Sequence, residues 1–221
     1  MPPIRRVRQH VNPLSNKYST PAKSPAWEAV FAEPLLPLHL DIGCAKGDFV
    51  REMAAQVADW NFLGLEIRQP LVERALMRHE RAVKAGARRN LHFIFCNANN
   101  SLRSVLETYP GGLQCVSIQF PDPWFKKRHQ KRRVVQPELV AVLAELMPVG
   151  AVVWLQSDIE EVAVEMCDRF DEYRAALEGS PAFVRDGSGW LGESPFPART
   201  DRERVGVENG LPVYRAQYVL R

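Results

Sequence analysis

At 221 residues, 46% hydrophobic and 25% charged, the chain has the balance of one ordinary folded domain with room for an appendage, which excludes a disordered or fibrous protein. The formal net charge of +3 hides two cationic segments: Lys126–Arg133 (KKRHQKRR) holds six Lys and Arg, residues 1–23 hold five and no acid, and the remainder sets 18 Lys and Arg against 26 Asp and Glu. Cations crowded in mid-chain repel one another unless a polyanion or solvent relieves them, and nucleic acid is the obvious polyanion.

Residues 1–25 are basic and rich in proline (Pro2, Pro3, Pro13, Pro21 and Pro25), and read as a mobile arm ahead of a single domain spanning 26–221. The start has no secretory apolar segment and no apolar run approaches the length of a membrane span, so a cytoplasmic protein with no membrane partner is expected. Apolar runs that fit buried strands are Leu38–Ile42, Asn61–Ile67, Leu91–Cys96, Leu113–Phe120 and Ala151–Gln156. Helical spacing of apolar residues appears over Phe49–Val57, Leu71–Val83, Leu139–Leu146 and Ile159–Tyr173. Strands and helices alternating in this way predict an α/β fold, a mostly parallel sheet with helices on both faces. After Glu178 the chain is rich in glycine and proline, and a late strand, Val213–Leu220, is expected to form an antiparallel edge hairpin. Cys44, Cys96, Cys115 and Cys167 lie far apart in apolar stretches with no metal-ligand spacing, so reduced core thiols and no bound metal are expected.

In such a sheet ligands sit beyond the carboxyl ends of the strands. The first strand ends Asp41-Ile42-Gly43-Cys44-Ala45-Lys46-Gly47, where two glycines let the backbone turn sharply and approach a ligand. The second ends in Glu66, whose carboxylate suits a ribose diol, and the third in Asn97, whose amide suits an adenine edge. The loop is G-x-x-x-G and lacks the G-x-G-x-x-G dinucleotide fingerprint. Asp41 before it favours S-adenosylmethionine, a cationic ligand without pyrophosphate, over NAD. A glycine turn serving an unrelated ligand remains open on these residues alone.

The fourth strand runs into Phe120-Pro121-Asp122-Pro123-Trp124-Phe125 and then the basic run. The prolines stiffen the backbone and end the sheet. An acid, two flat aromatic faces and a run of cations within fourteen residues make a site for a nucleobase carried on a large polyanion. Each part alone has a bland reading: Asp122 as a turn cap, Trp124 as core, the basic run as a solvated loop.

FPDPWFKKRHQKRR resembles the signature F-P-D-P-W-x-K-x-R-H-x-K-R-R of the tRNA (guanine-N7-)-methyltransferases, and RQHVNPLSNKY near the start is similar to the cyanobacterial and plastid branch of that family. The resemblance runs from about Arg8 to the C-terminus. It implies a Rossmann-like class I methyltransferase that uses S-adenosylmethionine to methylate guanine N7 in tRNA, in the variable loop at position 46. It further implies cofactor contacts at Asp41, Gly43, Glu66, Asn97 and Asp122, with Asp122 also catalytic. Substrate contacts fall on Lys126, Asp158, Thr200 and Glu203, and the tRNA-facing stretch on Arg128, His129, Lys131, Arg132 and Arg133.

Two of these regions also read as helix capping boxes, Ser157-x-x-Glu160 and Thr200-x-x-Glu203. One departure stands out: where the family loop commonly has the middle glycine of G-x-G-x-G, this chain has Ala45, for which a mild effect is expected. Two rival readings remain: a methyltransferase acting on an exocyclic amine of a base, for which Asp122-Pro123-Trp124 partly fits, and a non-catalytic RNA-binding protein retaining the fold. Monomer and homodimer are equally open.

Overall fold

Alternating polar and apolar residues at the strand positions decide how the sheet is covered. The structure, a computed structural model, describes residues 10–176 and 181–221. Arg5, Arg6 and Arg8 of the expected arm, and Gly179, lie outside the described residues. In chain order the elements are α1 (Trp27–Val30), β1 (Leu38–Ile42), α2 (Asp48–Gln56), β2 (Asn61–Glu66), α3 (Gln69–Lys84), β3 (Leu91–Phe95), α4 (Ala98–Leu106) and β4 (Leu113–Gln119). They continue as α5 (Pro137–Leu146), β5 (Val152–Ser157), α6 (Glu160–Ala175), β6 (Phe183–Arg185), α7 (Asp201–Glu208) and β7 (Tyr214–Leu220). The sheet order is β3-β2-β1-β4-β5-β7-β6. The first five strands are parallel, and β7 runs antiparallel to β5 and β6. This is the Rossmann-like class I architecture. Among the described residues no helix is long and apolar enough to cross a membrane.

On one face Leu38, Leu40, Ile42, Leu63, Leu65, Val116, Ile118, Val153 and Leu155 pack with Leu102, Val105, Leu139, Leu143 and Phe170 from α4, α5 and α6. On the other, Phe62 and Phe93 pack with Phe49, Val50 and Met53 of α2 and Val72 of α3. Each fully buried side chain of this kind contributes about 1.5–3 kcal/mol relative to exposure. All four cysteines are buried free thiols.

Three elements differ from the sequence reading. Helix α4 is absent from the sequence reading, although Ala98, Leu102, Val105 and Leu106 have helical spacing and form its buried face. The edge pair is not a tight hairpin, since α7 lies between β6 and β7 in the chain. Ser157 does not cap α6: the N-cap is Ile159, and the Ser157 hydroxyl accepts from the Ile159 N–H at 3.1 Å. The later part of the expected arm lies along α4, with Asn100 Nδ2 donating to the Tyr18 carbonyl at 2.6 Å and Ala22 N–H donating to Ser101 Oγ at 3.1 Å.

Candidate active site

Strands β1 to β5 are parallel, so their carboxyl ends share one edge of the sheet. There the connections diverge between β1 and β4, the position where open α/β sheets take ligands. An open cavity occupies it, and Gly43, Glu66, Asn97, Gln119, Asp122 and Arg132 all contribute to its lining. Gly43 has φ +86°, and a Cβ there would meet nothing within 4 Å, so the glycine leaves the backbone open to a ligand. Gly47, at φ +73°, closes the turn, and a Cβ there would strike the Phe93 ring at 2.3 Å.

Between them Ala45 holds the left-handed conformation, φ +51°, that the family's glycine would take without strain. Its N–H donates to Glu66 Oε2 at 3.0 Å. Ala45→Gly keeps that bond and removes the left-handed penalty, partly offset by a floppier unfolded chain. A gain of about 0.5–1 kcal/mol, roughly 1–3 °C in thermal midpoint, is expected in a melting experiment.

Glu66 is 3% exposed and its acceptor capacity is filled. Oε1 accepts from Arg68 N–H at 2.8 Å and Arg68 Nε at 2.9 Å, and Oε2 accepts from Ala45 N–H and the Arg68 guanidinium. Two ribose hydroxyls can bond this carboxylate only if the Arg68 guanidinium gives way. Asn97 caps α4: its Oδ1 accepts from Asn99 N–H at 3.2 Å while its Nδ2 donates to the Pro13 carbonyl at 3.2 Å. One Nδ2 proton and one Oδ1 lone pair remain for a ligand. The amino end of α4, at Ala98 and Asn99, also lines the cavity.

Asp41 does not line the cavity but lies behind it, 4% exposed, at the centre of a buried polar chain. Ser117 Oγ donates to Asp41 Oδ1 at 2.6 Å, and Gln119 Nε2 donates to the same oxygen at 3.2 Å. Ser117 has spent its proton on Asp41, so His39 Nε2, 3.0 Å away, is the donor to Ser117. Burial drives His39 down to about 3 and keeps it neutral. Burial pushes the Asp41 carboxyl up to about 6, opposed by the Ser117 and Gln119 bonds and aided by the Glu66 charge.

A folded-state value above the unfolded one means that Asp41 favours folding below the unfolded pKa, and that this support is lost as pH rises through about 6. Comparing wild type with Asp41→Asn cancels the other titrating groups. Wild-type stability relative to the variant should improve by about 2–3 kcal/mol between pH 8 and pH 4, read from paired melts.

The loop after β4 is bent by two bulky residues in the left-handed region, Phe120 at φ +49° and Trp124 at φ +43°. Such conformations persist only where surroundings enforce them. Phe120 N–H donates to the Gln156 carbonyl at 2.8 Å, and Arg133 Nε donates to the Pro123 carbonyl at 2.7 Å. Between these anchors Asp122 faces the cavity. Lys127–Arg132 forms a 3-10 helix that exposes Lys127, Arg128 and Lys131, with Lys126 exposed just ahead of it. Arg132 lies over the Trp124 ring at 5.0 Å and His129 meets that ring edge-on. Partial desolvation and then the neighbouring Arg132, Arg128 and Lys126 charges hold His129 below the usual histidine range.

Arg133, expected to face RNA, is instead 5% exposed and spent inside the protein, paired with Glu161 at 2.7 Å and with Glu165. Its role is to hold the loop against α6.

The remaining predicted residues form a second cluster beside Phe120. Asp158 pairs with Arg202 at 2.9 Å, and the Arg202 guanidinium lies over the Phe120 ring at 5.9 Å. Thr200 caps α7, its Oγ1 accepting from Glu203 N–H at 3.1 Å. Glu203, 1% exposed, is bound by Arg215 at 2.9 Å and by Gln156 Nε2 at 3.3 Å. Gln156 also donates to Gln119 Oε1 at 2.7 Å, which joins this cluster to Asp41 and the cavity. The sequence reading missed Gln119, Gln156 and Arg68. The alternation His39/Asp41, Ser117/Gln119 and Trp154/Gln156 was the available signal for the first two.

The cavity suits S-adenosylmethionine. It has a backbone left bare at Gly43, the Asp122 carboxylate for a cationic ligand and no phosphate-binding loop. This is the arrangement of a class I S-adenosylmethionine-dependent methyltransferase. A family profile described as "Putative methyltransferase" matches residues 36–215. A tRNA (guanine-N(7)-)-methyltransferase of Trichormus variabilis is 56% identical over 219 residues, covering 98% of this chain and 96% of its own. One from Synechococcus elongatus is 52% identical over 216 residues, covering 97% and 96%. Among solved structures the aminoglycoside resistance methyltransferase NpmB1 matches in fold, with a TM-score of 0.57 at 17% identity over 87% of this chain and 89% of that one. The chain belongs to the tRNA (guanine-N7-)-methyltransferase family.

Proposed function

We propose that the protein transfers a methyl group from S-adenosylmethionine to N7 of a guanine in the tRNA variable loop, as a cytoplasmic enzyme. The observation that carries this reading is the position of Asp122, on the wall of the cavity that Gly43 and Glu66 share and four residues before the exposed cations begin. When bound, S-adenosylmethionine supplies an electrophilic methyl on a sulfonium.

Guanine N7 has a lone pair and no proton, so no side chain has to act as a base there. What the chain must supply is alignment for an in-line displacement, and negative charge beside a ring that becomes cationic. Asp122 is the group for both, orienting the base and offsetting its charge. Glu66 receives the adenosine ribose once Arg68 yields, and the amino end of α4 meets the adenine. Asp41, behind the cavity, acts through Gln119. Lys126, Asp158, Thr200 and Glu203 form the substrate side, with Thr200 and Glu203 shaping α7.

Lys127, Arg128, His129, Lys131 and Arg132 receive the phosphates. Replacing Lys127, Arg128 and Lys131 together with alanine should weaken tRNA binding. It should also make the slope of log K against log salt shallower by about 2–3, from titrations at several salt concentrations. An unchanged slope would remove the turn as the main contact. The reading as a whole is tested by incubating the protein with unmodified tRNA and labelled S-adenosylmethionine, then digesting to nucleosides and mapping the label. Labelled 7-methylguanosine in the variable loop is expected; label on an exocyclic amine would overturn it.

A further inference from the structure

The N-terminal segment enters the cavity. Val11 and Pro13 line it, and the Pro13 carbonyl is held by Asn97. Just upstream, His10 Nδ1 stands 2.8 Å from Asp122 Oδ1, and its ring is tilted 6.1 Å from that of Trp124. Arg68, on the wall of the same cavity, adds the attraction of its guanidinium to the Asp122 carboxylate.

Both side chains are substantially exposed, 48% and 41%, so the contact adds little to fold stability. Its consequence is orientation. The torsion of a carboxylate is broad and roughly two-fold, a general attraction such as that of Arg68 does not fix it, and methyl transfer is sensitive to misplacements of an ångström. Donation to one oxygen selects a rotamer and leaves the other oxygen available. His10 can make that donation reliably because the segment behind it is fixed at Pro13, at Tyr18 and at Ala22.

We infer that His10 is a positioning residue for methyl transfer, holding the Asp122 carboxylate in the orientation that receives guanine. The inference rests on the reading of Asp122 given above. The test uses the full chain with unmodified tRNA, and separates kcat from KM. His10→Ala should lower kcat about tenfold with KM for S-adenosylmethionine within about twofold. His10→Asn, whose amide nitrogen falls near the place of Nδ1, should recover kcat to within about threefold of wild type.

Wild-type kcat in His10→Ala overturns the inference. So does faster turnover, which would make His10 an occupant that guanine displaces. An asparagine variant as slow as the alanine one also overturns it, since the loss would then come from the segment and not from the donor. If Asp122→Asn itself turns over like wild type, the reading of Asp122 falls as well. If Asp122→Asn is slow and His10→Ala is not, the role of His10 alone falls.

Discussion

Asp122→Asn should reduce kcat by about 10²–10³-fold while leaving the fold and the affinity for S-adenosylmethionine close to wild type. The amide keeps the shape of the side chain and can still accept from His10, so the change isolates the charge. A unit charge about 4 Å from the developing guanine cation is worth roughly 4 kcal/mol at an effective dielectric of 20, which corresponds to about three decades in rate. Asp122 is 41% exposed, and solvent screening lowers that figure toward two. Single-turnover kinetics with saturating cofactor, alongside calorimetry of cofactor binding, check the result. A variant with wild-type turnover would mean that the anion has no electrostatic part in the reaction.

The largest expected loss of stability belongs to Arg215→Met. Glu203 and Arg215 are 1% and 8% exposed and meet at 2.9 Å. Removing the cation leaves a carboxylate inside the protein with only the Gln156 amide for company, a situation that costs about 3–5 kcal/mol. For a chain of this size that corresponds to a midpoint lowered by roughly 10 °C. Glu203→Leu combined with Arg215→Met should regain most of it, because apolar replacements of a buried pair are often neutral. Melting curves of the single and double variants decide the matter. A single variant that melts with wild type would show that Glu203 finds another partner or takes up a proton.

Strands were the most legible part of the fold, because apolar runs such as Leu38–Ile42 and Leu113–Gln119 are buried on both faces. Helix α4 was legible too, from the spacing of Ala98, Leu102, Val105 and Leu106 and from Asn97 as an ordinary capping residue ahead of it, but Asn97 was read for a ligand and not for a cap. In the site, Gly43, Glu66, Asn97 and Asp122 were readable because strand ends converge by topology, and the structure brings all four to one cavity. Arg133 was not readable. In a run of six cations nothing local distinguishes the one that folds inward, and its partners Glu161 and Glu165 lie on a helix that packs there only in three dimensions. The competition of Arg68 for Glu66 was within reach of the sequence, two residues away, but carboxylates at strand ends invite a ligand reading before a local one.

The bolting of the Asp122 loop at both ends, to the Gln156 carbonyl and through Arg133 to α6, has a mechanical consequence. The exposed cations Lys126, Lys127, Arg128 and Lys131 lie inside the turn that the Arg133–Pro123 bond closes, and the acid sits between the two bolts. The spacing from acid to cations is therefore set by the fold itself, before any polyanion arrives.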